Sequence, residues 1–468
     1  MSNLESNLDR LRSDCASLEI ITEGEVLSDK SHDWWVRGRL QRKAGQASTC
    51  GAVVRPADTG EVSALLSWAH DTGTAVVPFG LGSGVCGAVQ ASQDQVVIDM
   101  SGMDKIVALN DESLTVTVQP GMRGCDFESA LAERGMTMGH FPQSIDLSTV
   151  GGWCATRASG QLSTRYGNIE DMLLGCEIVL PGGQVIRIPE KTRAATGPDL
   201  KHLFMGSEGT LGVFTELVFR IHPVVESQKG RAYSLPSVAA GCESFRQILR
   251  AGWSPAITRL YDSDEAGNTF EIASEGLPVI LLRSEGPATL VDAEMKACHD
   301  IIVGLGGEDQ GESPVDSWMG HRNSVPDIDD LIGKGLTLDT IEVAIGWDGL
   351  AELFSTVCEG GKKLEGILGF SGHVSHCYTQ GANIYFTFAG AVESPEAGIE
   401  LYDRAWNYTM KVTHELGGTI AHHHGIGRVR KEWLPRELGS SHQVLATLKR
   451  AIDPKGIMNP GALIDIDD

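Results

Sequence analysis

Three consecutive histidines, His422, His423 and His424, stand directly before Gly425-Ile426-Gly427 near the end of the chain. Imidazole titrates near neutrality and serves as acid, base or metal ligand. Adjacent side chains point apart, so at most two of the three can face one site unless the backbone bends. The competing reading is a solvated, tag-like run. Two more histidines, His373 and His376, lie in Gly372-His373-Val374-Ser375-His376-Cys377, and Tyr385 follows on a strand-like run over 383–388. A phenol beside imidazoles is a proton-transfer set: it has a proton to exchange, and a neighbouring ring can lower its pKa or relay that proton to solvent.

A different chemistry is written in glycine. Val76-Val77-Pro78-Phe79-Gly80-Leu81-Gly82-Ser83-Gly84-Val85-Cys86-Gly87 carries a short apolar strand into a glycine-rich loop. A backbone without side chains turns sharply and brings its N–H groups close to an anion, so the natural client is a phosphate or diphosphate. Residues 82–87 match G-x-G-x-x-G, but only residues 88–95 separate the last glycine from the strand at 96–98. A Rossmann site needs a helix there, and a typical helix takes about 10–14 residues. The loop therefore reads as strand–loop–strand, against the plainer alternative of a surface turn.

The elements that must position these groups follow from periodicity. Residues 1–45 are polar and read as a helical segment, with Trp34 and Trp35 as docking points. Ala52–Arg55 reads as a strand, Val62, Leu65, Leu66 and Ala69 as one face of a helix, and 74–77, 96–99 and 114–118 as further strands before a helix within 121–135. This β-α-β-β-β-α order is a small α+β unit, not a doubly wound sheet. Residues 141–160 form a second glycine-rich, polar region whose small residues permit close approach of a flat ligand. Strands at 176–180 and 184–188 turn through Pro181-Gly182-Gly183, and 213–219 is an alternating strand. From about 225 to 415, strand-like runs at 256–260, 279–282, 340–344 and 383–388 alternate with helical ones, the pattern of an antiparallel sheet covered by helices. The stripe Ile399, Tyr402, Trp406 and Met410 reads as core packing.

Size and composition bound the answer. A chain of 468 residues, 41% hydrophobic and 21% charged, can bury two or three cores. A net charge of −24 argues against nucleic acid or an anionic membrane as the main partner. No apolar run reaches the roughly 18 residues of a membrane span. The first ten residues lack the basic and apolar regions of a signal peptide, and the ten cysteines include no C-x-x-C pair, so free thiols and a cytoplasmic location are expected. A homodimer is left open.

Four ordered blocks together resemble the FAD-binding half of the vanillyl-alcohol oxidase superfamily, the PCMH-type fold, over about 46–224. They are the strand-borne glycine loop, P-x-S-x-x-x-S-T-x-G-G-x-x-A-T-x-A-S-G from Pro142, Y-G-N-I-E-D from Tyr166, and G-S-E-G-T-L-G from Gly206. The resemblance implies an α+β protein in which two α+β subdomains hold FAD between them, with an antiparallel-sheet cap over 225–415 and a C-terminal segment, 416–468, returning with the histidines. It implies that Pro78, Phe79, Gly80, Leu81, Gly82, Ser83 and Gly84 hold the diphosphate. Gln143, Ser144, Ser148, Thr149, Gly151, Gly152, Thr156, Arg157, Ala158, Ser159, Glu208, Gly209, Thr210, Leu211, Gly212 and Val213 would line the rest of the cofactor. The loop lacks the tethering histidine of some relatives, so the flavin is expected to be non-covalent. The ending D-P-x-x-x-x-N-P-G from Asp453 is similar to FAD-linked oxidase C-termini.

Zinc-containing D-2-hydroxy-acid dehydrogenases of this superfamily take metal ligands from G-H-x-x-D-G-N-x-H and E-H-G-I-G blocks. Here His373 is kept, Tyr385 stands for the second histidine and His423 for the glutamate. A phenol with a pKa near 10 is a poor zinc ligand, so no metal is expected, although a three-histidine site is conceivable. The same departures, with His422–Leu434 and Ala155–Gly160, resemble the alkylglycerone-phosphate synthases. Those enzymes use FAD in a redox-neutral exchange of an acyl group for a fatty alcohol. The resemblance implies that Tyr385 removes a substrate proton and that His422, His423 and His424 handle protons, with His373 at the substrate. It puts the family's phosphate-binding arginine at Lys334, a point charge instead of a fork. The expectation is a flavoenzyme acting on a small phosphate- or carboxylate-bearing substrate. The alternatives are an FAD-dependent oxidase or dehydrogenase of a D-2-hydroxy acid or alcohol, and a catalytically silent flavin binder.

Overall fold

The run Ala52-Val53-Val54 is buried on both faces, as is Val96-Val97-Ile98, and this is the mark of parallel strands inside a sheet. The computed structural model describes residues 3–269 and 276–468. Strands β1 (Glu19–Ile21), β2 (Ala52–Arg55), β3 (Val76–Phe79) and β4 (Val96–Asp99) form one sheet in the order β1-β2-β4-β3. β2, β3 and β4 are parallel and β1 is antiparallel at the edge. The helix Thr59–Thr72 makes the crossover, with Asp58 capping Glu61 N–H and Gly73 ending it in the left-handed region. No helix lies between β3 and β4, so the glycine loop is strand–loop–strand.

The chain continues through β5 (Ile106–Asn110), β6 (Thr115–Val118), β7 (Met136–Thr137), β8 (Leu173–Val179), β9 (Val185–Ile188), β10 (Val213–Arg220) and β11 (His222–Pro223). Five of these form a second, antiparallel sheet in the order β5-β6-β10-β8-β9, and β7 pairs with β11. The expectation of a single β-α-β-β-β-α unit is corrected, and one strand was missed. The strands at 96–99 and 115–118 belong to different sheets, because β4 is buried on both faces and β6 on only one. β5 was not foreseen, because an exposed edge strand carries almost no apolar alternation.

The remaining strands are β12 (Ser227–Ser234), β13 (Ile257–Tyr261), β14 (Val279–Gly286), β15 (Glu308–Gly311), β16 (Leu336–Gly346), β17 (Ile367–Val374) and β18 (Gly381–Ala391). They form an antiparallel sheet ordered β15-β12-β14-β13-β17-β18-β16. Helices such as Val238–Arg250, Trp347–Gly361 and Pro395–Glu415 cover it, and the stripe of the last one packs into the core. The architecture is α+β.

The termini clamp these sheets together. The N-terminal segment holds helices Asn3–Asp14, Glu25–Lys30 and Val36–Lys43, but β1 interrupts them because Ile20 and Ile21 pair with Val54 and Val53. Trp35 is buried and donates from Nε1 to Tyr402 Oη at 2.9 Å, and Arg37 forks onto Asp403. At the other end Met458 runs beside Val76, with Asn459 N–H donating to Val76 O. Asp453 accepts from the N–H groups of Ile457 and Met458 and pairs with the buried Lys449. Asn459 Nδ2 donates to Ala88 O and Glu208 O. The D-P-x-x-x-x-N-P-G ending is therefore a clasp between the glycine loop and the 206–212 block. All ten cysteines are unpaired, and among the described residues no helix is long and apolar enough to cross a membrane.

Candidate active site

Register assembles the chemistry. Pairing of β17 with β18 sets His373 opposite Tyr385, and pairing of β16 with β18 sets Glu342 opposite Tyr385. The His373 and Tyr385 rings stack with centroids 4.9 Å apart, and Thr340 Oγ1 donates to Tyr385 Oη at 2.9 Å. Burial pushes the Tyr385 phenol up, so it holds its proton at neutral pH.

The histidine loop is pinned from two sides. Glu342, fully buried, accepts from His422 N–H and from His424 N–H, the latter at 2.9 Å. Its partner Arg430, also fully buried, donates to Glu342 Oε1 at 2.9 Å and to Gly425 O at 2.8 Å, and lies over the Trp406 ring. From the other side Glu208 accepts from Ile426 N–H at 2.6 Å and Gly427 N–H at 2.9 Å. Burial raises the Glu208 carboxyl to about 7 against these donors. Glu208 adopts φ 52°, in the left-handed region, so strain is accepted to aim its carboxylate at the loop.

A cavity of about 700 Å³ runs from the glycine loop to these side chains, within the range of cofactor sites. Of the residues singled out in the sequence, it is lined by all seven of 78–84, by Gln143, Ser144, Ser148, Thr149, Gly151, Gly152, Thr156, Ala158 and Ser159, by Glu208, Gly209, Gly212 and Val213, and by His373, Tyr385, His423 and His424. Five do not reach it: Lys334, His422, which lines a second cavity, and three of the cofactor set. Arg157 turns toward that second cavity and pairs with Glu170. Thr210 is buried with its hydroxyl on Ser207 O, and Leu211 is in the apolar core. The blocks meet so closely that side chains are excluded. A Cβ on Gly80 would lie 2.4 Å from Thr149 Oγ1, and one on Gly209, at φ +73°, 2.8 Å from Pro78. The bare backbone this leaves fits the diphosphate of FAD.

Lys334 is a correction. Its side chain is 63% exposed, pairs with Asp330, and lies outside the cavity. The cations that line it are Arg259 and Arg322. Arg259, on β13, is buried. It donates to Tyr261 Oη and to His373 Nε2, both at 2.7 Å, and sits over the Trp318 ring. His373 must then carry its proton on Nδ1, which faces Glu265 Oε1 at 2.8 Å. Arg322 donates to Gln161 Oε1 at 2.6 Å over the Phe141 ring. The available signal for Arg259 was an arginine inside the apolar run Ala256–Leu260. For Arg322, in a short exposed-looking segment, there was none.

His376, His422 and His423 bring one ring nitrogen each within 4.8 Å of one another, a donor set that suits zinc by type. The spacing suits a hydrogen bond better. His422 Nδ1 and His423 Nδ1 are 2.8 Å apart, whereas the edge of a tetrahedral zinc site is about 3.3 Å. Burial lowers both imidazoles to about 3 and also lowers His376 and His424, so the cluster is neutral.

Comparison with known proteins agrees with this geometry. Residues 50–189 match the FAD binding domain family, and 226–463 match the C-terminal domain of the FAD linked oxidases. The chain is 32% identical to the FAD-linked oxidoreductase YgcU of Escherichia coli, over 98% of both chains. It is 29% identical to alkyldihydroxyacetonephosphate synthase of Dictyostelium discoideum, over 92% of this chain and 76% of that one. A solved alkyldihydroxyacetonephosphate synthase superposes with a TM-score of 0.82 at 26% identity, covering 97% of this chain and 84% of its own.

Proposed function

The chain belongs to the FAD-linked oxidases, and from that premise we propose that it is a synthase-like flavoenzyme that moves a carbon-bound proton of a small anionic substrate through Tyr385. FAD is its cofactor. When bound, FAD supplies an electrophilic ring that can accept electron density from the substrate. The rest of the work falls to side chains. Arg259 binds the substrate's phosphate or carboxylate through its planar fork, held in orientation by Tyr261, Trp318 and His373. Tyr385 Oη exchanges a proton with the substrate carbon. His423 and His424, kept neutral by burial, exchange protons with the phenol. The buried walls exclude water from this exchange.

The observation that carries the reading is the juxtaposition of a half-buried phenol, neutral imidazoles and an arginine fork at one end of a cavity whose other end is the glycine cradle. Likeness to alkyldihydroxyacetonephosphate synthases supports the redox-neutral form, with an acylated dihydroxyacetone phosphate and a long-chain alcohol as substrates. Because an arginine fork accepts a carboxylate as readily as a phosphate, oxidation of a D-2-hydroxy acid is the second reading. Anaerobic mixing of the FAD-loaded enzyme with each substrate class separates them. The proposal expects alkyl ether product with no lasting loss of the flavin's visible absorption. Lasting bleaching by D-lactate or glycolate, with no ether product, overturns it in favour of the dehydrogenase.

A further inference from the structure

His423 lines the main cavity, but its neighbour His422 lines a second one, of about 420 Å³, on the other side of the histidine loop. The two rings touch through their Nδ1 atoms at 2.8 Å. The bond chain does not stop there. His422 Nε2 lies 2.6 Å from Tyr378 Oη, and Tyr378 also lines the second cavity. Asn168 Nδ2 donates to the same phenolic oxygen at 2.8 Å. Ser159 Oγ donates to Asn168 Oδ1 at 2.7 Å and fixes the amide's orientation.

These partners dictate where each proton sits. Tyr378 Oη already accepts from Asn168, so its own proton points to His422 Nε2. His422 then carries its proton on Nδ1 and donates it to His423 Nδ1. His423 is left with its proton on Nε2, on the side of the main cavity. Every donor in the row faces an acceptor, with one direction throughout. Neutral imidazole suits such a row, because it gives a proton from one nitrogen as it takes one at the other and never holds a lasting charge.

We propose that Tyr378, His422 and His423 form a proton relay through the wall between the catalytic cavity and the second cavity, whose mouth is marked by the half-exposed Arg157 and its partner Glu170. In one pass water in the second cavity gives a proton to Tyr378, Tyr378 to His422 Nε2, His422 Nδ1 to His423 Nδ1, and His423 Nε2 to the acceptor in the catalytic cavity. One proton enters, one leaves and no electrons move. The pass reverses every hydrogen bond in the row, leaving His423 Nε2 bare and the row set to carry the next proton outward. A reaction that gives up and regains one proton per turnover would reset it each time. This use of the relay rests on the reading of Tyr385 given above, but the relay itself can be tested without any substrate. Tyr378 and His422 act through His423 and are positioning residues.

The test is nitrogen-15 NMR of the FAD-loaded full chain labelled at histidine, in wild type and Tyr378→Phe. The relay expects His422 protonated at Nδ1 and His423 at Nε2. It also expects exchange of both ring protons with deuterated solvent to slow by at least about tenfold in Tyr378→Phe, with FAD content and thermal midpoint unchanged. His422 protonated at Nε2, or exchange rates indifferent to the loss of the Tyr378 hydroxyl, would overturn it. Should Tyr378→Phe fail to hold FAD, the wild-type tautomers decide alone. Failure of the Tyr385 reading would appear in turnover and leave these spectra as expected.

Discussion

At the scale of single residues, anion recognition and buried neutrality make separate demands. Arg259→Lys keeps the charge but removes the fork that reaches Tyr261 and His373. Loss of one charge-assisted bond costs about 1.5–3 kcal/mol, so KM for the anionic substrate is expected to rise about 10–100-fold with a smaller change in kcat. Steady-state kinetics check this, and an unchanged KM would place the substrate's anion elsewhere. His423 is held neutral by burial, its pKa lowered to about 3 from the ordinary 6.5. Below pH 6.5 the unfolded chain binds a proton there that the folded chain does not, so this residue makes stability fall as pH drops toward 3. His423→Gln removes the penalty. Relative to wild type it is expected to gain about 1–3 kcal/mol between pH 6.5 and pH 4.5, read as converging or crossing denaturation midpoints.

At the scale of elements, the glycine cradle shows what a sequence can carry. Thr149 Oγ1 both touches the Gly80 position and caps the helix Val150–Thr156 by accepting from Gly152 N–H. Gly80→Ala would push Thr149 aside. A lost cap costs about 1 kcal/mol, and the opened trench should weaken FAD binding by about tenfold, measured by flavin titration of the apoprotein. This cradle was legible because glycine spacing is local. So were β13, β14, β16 and β18 of the large sheet, which carry apolar runs, whereas β12, β15 and β17 were not foreseen. The edge strand β5 was not legible, since it is largely exposed and lacks alternation, nor was the interruption of the N-terminal segment by β1, whose partner β2 is distant in sequence. Lys334 misled because a cation beside a strand looks the same whether it faces a cavity or solvent. Arg259 was hidden because only the pairing of β13 with β17 brings it to His373.

At the scale of the whole molecule, the N-terminal tryptophan, the histidine loop and the Asp453–Gly461 clasp each tie distant segments around one cavity. The purified protein is expected to be yellow, with its flavin released by acid precipitation, because the 78–84 loop offers no tethering histidine. Elemental analysis is expected to find no stoichiometric zinc, and a chelator should leave turnover intact, since the His422–His423 spacing is that of a hydrogen bond. Zinc bound one per chain, with activity lost to the chelator and restored by the metal, would require the histidines to be reassigned. The proposed chemistry converges on one oxygen, Tyr385 Oη, and its removal is the most direct test. Tyr385→Phe changes little volume in a stacked, half-buried site, so FAD content and thermal midpoint should hold. Turnover normalised to bound flavin is predicted to fall by about 10²–10⁴, the usual worth of a positioned acid or base. Turnover near that of wild type, with only stability lost, would contradict the account.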